Sequence, residues 1–162
     1  MSFAVDANLL VYASDRDSPV HERAVAFLRN CVEGTEIFCL AWATVFAYLR
    51  IVTHPAVFRR PLSPNEAMDN VDALLVLPHV QMLGEGDRFW LHYRDTAGVV
   101  LPRGNLVPDT HLAALLRQHG VSTLYTRDRD FLRFDFLSVV DPLETAVKDK
   151  PARRRRASLA RA

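Results

Sequence analysis

A chain of 162 residues with 49% hydrophobic and 24% charged side chains has the length and composition of one folded domain, which excludes intrinsic disorder but names no function. Its formal charge of +1 hides a division: residues 1–147 carry 13 basic and 18 acidic side chains, a balance of −5, whereas the last fifteen, KDKPARRRRASLARA, carry seven basic and one acidic, a balance of +6. Both lysines, Lys148 and Lys150, lie in that tail. Without an apolar run of about 18 residues or a signal-peptide pattern, the chain is expected to be cytoplasmic, neither spanning a membrane nor secreted. Cys31 and Cys39 have no metal-site spacing and are expected to be buried free thiols.

Phe3, Ala4 and Val5 read as a short buried strand, and residues 8–12 resume an apolar run, yet Asp6 stands between them. SPVHERAVAFLRN (18–30) reads as an amphipathic helix with Ser18 as N-cap and Pro19 in its first turn. IFCLA (37–41) is a second strand, and a helix starts near Trp42 and stops before Pro55. Ser63, Pro64 and Glu66 form a capping box with proline at the first helical position, the clearest helix start in the chain. Residues 80–83 suggest a third strand, followed by a helix around DRFWLHYRDTAG. NLVPDTHLAALLRQH (105–119) predicts a further helix that presents Leu112, Leu115, Leu116 and His119 on one face and ends at Gly120. Strands at 122–126 and 136–140 complete the series. Short apolar strands alternating with helices predict an α/β fold, a sandwich around a mainly parallel sheet. Trp42, Phe89 and Trp90 are expected in its core.

In an open parallel sheet, functional groups collect outside the C-terminal ends of the strands. Asp6 ends the first strand; Thr126 ends another and is followed by Asp128 and Asp130; Asp109 precedes that strand on its helix, behind Pro108. Taken singly, Asp6 is a helix cap, Asp109 a first-turn acid beside the helix dipole, and Asp128 and Asp130 loop residues. Brought together, such carboxylates repel one another, and a cation that neutralises them is the usual reason for the cluster. Magnesium and manganese prefer carboxylate and water oxygens and often act on phosphates, so the chemistry inferred is metal-assisted phosphodiester cleavage. Asn8 and Thr126 are placed to hydrogen-bond the ligands or the water, or are ordinary turn and strand-end residues.

The order VDAN, NLVPDTHLAAL and TRDRDFLRF resembles the PIN-domain ribonucleases, specifically the VapC toxins of bacterial toxin–antitoxin pairs, over nearly all of residues 1–142. The resemblance implies a PIN-like α/β/α sandwich, with residues 1–145 as the domain and 146–162 as a flexible basic tail. It implies Asp6, Asp109 and Asp128 as Mg2+ ligands, with Mn2+ as a substitute, Asp130 as an auxiliary acid and Thr126 as the hydroxyl beside them. It further implies a homodimer, a VapB-type antitoxin partner, and a structured RNA substrate such as tRNA or ribosomal RNA. One departure stands out: many relatives carry a glutamate early in the helix after the second strand, where this chain has Ala47 and no acid from Ala41 to Pro55. Either three or four aspartates suffice, or another acid such as Glu85 or Asp87 contributes, or metal binding is weak.

A haloacid-dehalogenase-like phosphatase also starts with a strand-end aspartate, but it needs a second acid two residues on and a phosphate-binding lysine. Here position 8 is Asn8 and residues 1–147 hold no lysine, which also argues against a phospho-receiver domain. The non-enzyme alternative is a degenerate PIN fold that binds RNA or a partner without cutting. The arginine-rich tail either contacts phosphates, meets an acidic partner or is simply solvated. Arg127, Arg129 and Arg133 either steer RNA or balance local carboxylates, and His111 is expected to be an ordinary surface or core histidine rather than a general base.

Overall fold

The computed structural model describes residues 1–145, so the basic segment 146–162 lies outside the described residues. Strands β1 (Ser2–Val5), β2 (Ile37–Ala41), β3 (Val80–Leu83), β4 (Thr123–Tyr125) and β5 (Ser138–Val140) form one sheet in the order β3-β2-β1-β4-β5, with every pair parallel. Helices α1 (Ala7–Ser14) and α2 (His21–Glu33) connect β1 to β2, and α3 (Trp42–Val52) and α4 (Pro64–Leu75) connect β2 to β3. Helices α5 (Phe89–Val100) and α6 (Leu106–Gln118) lead to β4, and a 3₁₀ turn at Arg129–Arg133 leads to β5. This is the α/β/α sandwich that the alternation of strands and helices predicts.

Strand alternation sorts side chains onto two cores. Phe3 and Val5 of β1 and Phe38 and Leu40 of β2 pack with α1 to α4, while Ala4, Cys39, Ala41 and Leu124 pack with α6 and the 3₁₀ turn. Helices on both faces explain why the strands are apolar runs rather than alternating with polar residues. Phe3 and Phe38 are register partners whose rings stack at 5.2 Å, locking β1 to β2 across the first crossover.

Several local signals hold. Ser63 Oγ accepts from the Glu66 N–H at 3.2 Å while the Ser63 N–H donates to Glu66 Oε2 at 2.8 Å, the reciprocal capping box. Gly120, at a φ of +68°, ends the turn after α6. Both cysteines are buried and unpaired, and burial beside Glu36 pushes the Cys31 thiol up to about 12.

Two expectations fail. The second helix begins at His21, not at Ser18: the Ser18 hydroxyl accepts from the Val20 N–H and its carbonyl from the His21 N–H, so Ser18-Pro19-Val20 forms a turn ahead of the helix. Trp42 and Trp90 are not core residues, being 43% and 64% exposed; Trp42 lies against Gly84, and Trp90 stacks on Tyr93 at 5.4 Å. Phe89 is half-buried and does pack on the α6 side. No helix among the described residues is long and apolar enough to cross a membrane.

Candidate active site

The chain builds β1, β2 and β3 outward in one direction and then returns to add β4 and β5 on the other side of β1. The switch point between β1 and β4 opens a crevice beyond their C-terminal ends, where parallel sheets place their ligands. Val5 pairs with Tyr125, so Asp6 and Thr126 leave the sheet side by side, and the Asp6 N–H donates to Tyr125 O at 3.0 Å.

Asp6 is both the N-cap of α1 and a member of the site. Its Oδ1 accepts from the Ala7 N–H at 2.7 Å, and its Oδ2 accepts from the Thr126 hydroxyl at 2.8 Å. Thr126 is buried and uses its full bonding capacity, because its oxygen also accepts from Asn8 Nδ2 at 3.0 Å and from the Asp128 N–H at 2.9 Å. With two N–H groups aimed at that oxygen, its proton is committed to Asp6. Burial raises the Asp6 pKa, and the bonds from Thr126 and Ala7 pull it back toward ionisation.

Three further carboxylates gather beside this corner. Asp109 stands in the first turn of α6, Asp128 caps the 3₁₀ turn by accepting from the Asp130 N–H at 2.8 Å, and Asp130 follows it. One oxygen from each of Asp109, Asp128 and Asp130 lies within 4.8 Å of the others. Asp6 falls outside that radius but remains electrically coupled to the group, since its charge and those of Asp128 and Asp130 help burial to push Asp109 up to about 6. Asp130 meets Arg133 at 3.5 Å in an exposed pair, and Asp109 receives no hydrogen bond from the described residues.

The donor set therefore tests well against a hard cation: several carboxylates converge with little positive charge among them. Asn8 Oδ1 adds an independent sign, because it is buried without a partner. Reversing that amide would set a carbonyl against a Thr126 oxygen whose proton is already committed, so the orphan belongs to the oxygen. It enlarges a site rich in acceptors and poor in donors.

The structure brings together all six residues singled out from the sequence: Asp6, Asn8, Asp109, Thr126, Asp128 and Asp130. What sequence reasoning missed is the division among them, with Asp130 rather than Asp6 in the tight trio. The proposed replacements for the absent glutamate do not join it; Glu85 is bound to His111 Nε2, which also gives that histidine a structural partner. Arg127 pairs with Asp141 at 3.2 Å and covers the Tyr12 ring.

Residues 3–137 match the PIN domain family. Ribonuclease VapC48 of Mycobacterium tuberculosis is 42% identical over 142 residues, covering 88% of this chain and 98% of that protein, and ribonuclease VapC43 of the same species is 36% identical over 140 residues, covering 86% and 95%. VapBC2 from Rickettsia felis, solved bound to a DNA fragment from their promoter, shares the fold with a TM-score of 0.61 at 14% identity, covering 86% of this chain and 98% of that one. The chain belongs to the PIN-domain family, among its VapC ribonucleases. Its acidic cluster fits the divalent-metal dependence that is general to PIN-domain nucleases.

Proposed function

We propose that the protein is a cytoplasmic, magnesium-dependent endoribonuclease toxin that acts as a homodimer, cuts structured RNA such as tRNA or ribosomal RNA, and is held in check by a VapB-type antitoxin. The observation that carries the reading is the convergence of Asp109, Asp128 and Asp130 at the sheet's switch point, with Asp6 beside them. Asp6, Asp109 and Asp128 are the proposed ligands, and Asp130 completes the acidic wall. When bound, a divalent ion supplies an activated water and neutralises charge on the phosphate. The chain's own residues fix the geometry: Thr126 holds Asp6 by its single proton, Asn8 and the Asp128 N–H hold Thr126, and α1 is anchored on the same Asp6 carboxylate.

The test incubates the purified protein with total RNA, with magnesium or with a chelator, and maps the new 5′ ends. Cleavage that needs the metal and disappears in Asp6→Asn supports the reading. That variant is informative because asparagine is as good an N-cap as aspartate, so α1 keeps its start while the site loses a charge. RNA retained without cleavage would favour the binding-module alternative, whose support is the absence of any acid along α3.

A further inference from the structure

We propose that Arg129 binds a backbone phosphate of the RNA at the mouth of the carboxylate site, so that one guanidinium set between two of the acids aligns the strand with them. The inference rests on the ribonuclease reading and concerns how a negatively charged substrate is held in an acidic crevice. Residues 1–147 carry a balance of −5, and Asp109, Asp128 and Asp130 converge with Asp6 beside them, so the site offers an RNA phosphate mostly repulsion. A strand that lies across it needs a fixed positive charge close to the acids.

Three arginines, Arg127, Arg129 and Arg133, follow β4 closely, and the geometry separates them. Arg127 donates to Asp141 Oδ2 at 3.2 Å and lies over the Tyr12 ring at 5.8 Å, and Arg133 stands 3.5 Å from Asp130. Arg129 is exposed and makes no side-chain hydrogen bond or ion pair among the described residues, although Asp128 precedes it and Asp130 follows it. Its backbone, by contrast, is pinned. Arg129 opens the 3₁₀ turn capped by Asp128; the Asp128 N–H donates to Thr126 Oγ1 at 2.9 Å, the Asp130 N–H donates to Asp128 Oδ1 at 2.8 Å, and Phe131 is buried in the core on the α6 side. A fixed backbone with an unengaged head group suits a phosphate contact, because no existing pair has to break and little of the chain has to be ordered on binding. The guanidinium also presents a planar fork of N–H donors that meets two phosphate oxygens at once, which an ammonium does not.

The experiment measures binding of a labelled poly(U) 20-mer to the full chain in EDTA over a range of salt. Arg129→Gln is expected to weaken binding about 10-fold, the loss of one charged hydrogen-bonding contact. It is also expected to reduce the slope of log affinity against log salt by about 0.7, the value for one phosphate contact on a single strand. Arg129→Lys keeps the charge and is expected to keep the slope while losing part of the affinity. Arg127→Gln removes a guanidinium already held by Asp141 and is expected to leave the slope in place. An unchanged slope in Arg129→Gln, an equal fall in Arg127→Gln, or no binding by the unaltered chain overturns the proposal. Failure of the ribonuclease reading shows separately, as absence of magnesium-dependent cleavage by the unaltered chain.

Discussion

Asp6 and Asp109 face the same crevice and are charged by opposite means. Asp6 sits at a strand end with both oxygens hydrogen-bonded, one to the Ala7 N–H and one to the Thr126 hydroxyl, so the fold itself counters part of the burial that raises its pKa. Asp109 sits in a helix turn without such partners, and burial, reinforced by three neighbouring carboxylates, pushes its pKa up to about 6. The protein can afford one internally satisfied carboxylate, because a strand end and a helix start converge there to supply donors. Asp109 has no such internal donors, so its charge is the one left to be met by a cation.

The sharpest way to break this contrast is to remove a charge from the trio. Asp128→Asn and Asp109→Asn are each expected to reduce RNA cleavage by more than about 100-fold, beyond the range for residues that only orient a ligand. The metal-free Asp109→Asn protein is nevertheless expected to melt higher than the unaltered one at pH 7 by thermal denaturation. Thr126→Val attacks the satisfied side: it strips Asp6 of its donor, and we expect cleavage to fall about 10- to 100-fold and stability by about 1–3 kcal/mol, with Thr126→Ser restoring most of both.

The pH dependence follows from the sign of the Asp109 shift. Its folded pKa of about 6 stands above the ordinary 3.8, so the associated stability is present below about pH 4 and lost as pH rises through about 6. Melting of the metal-free protein should therefore drop over that interval, and magnesium should recover the loss at pH 7 but have little effect at pH 4. The smallest effect belongs to a residue on neither side: Ser63→Ala loses the capping box of α4 and is expected to cost about 1 kcal/mol in denaturant unfolding without changing cleavage.

The fold was legible wherever a single local rule governs. The apolar runs at 37–41 and 80–83 coincide with β2 and β3, and the Ser63–Glu66 box marks the start of α4. It was not legible where tertiary contacts overrule local preference. Ser18-Pro19 carries the chemistry of a helix start and instead forms a turn, and α5 ends at Leu101 in the left-handed region, where no glycine announces the stop. Apolar character alone also cannot separate a core tryptophan from one at a helix start on the surface, as at Trp42 and Trp90.

That Asp6, Asp109, Asp128 and Asp130 would lie near one another could be read from strand ends and a helix start, because sheet topology fixes where such residues meet. Its internal order could not. Which acid receives the Thr126 proton, and which three acids lie closest, depends on separations of a few ångströms that no residue spacing encodes. Asn8 illustrates the point: its sequence position allows either a hydrogen-bonding partner of the site or an ordinary turn residue, and only packing shows it within α1, one amide end holding Thr126 while the other has no partner.

The Asp6–Thr126 hydrogen bond joins residues 120 positions apart. During synthesis at about 5–20 residues per second, the first half of that pair waits about 6–24 s for its partner. Asp128 and Asp130 are made later still, so a growing chain lacks its assembled centre until nearly the whole domain has left the ribosome. A nuclease whose own production depends on intact RNA thus carries, in the order of its strands, a delay that separates being translated from being armed.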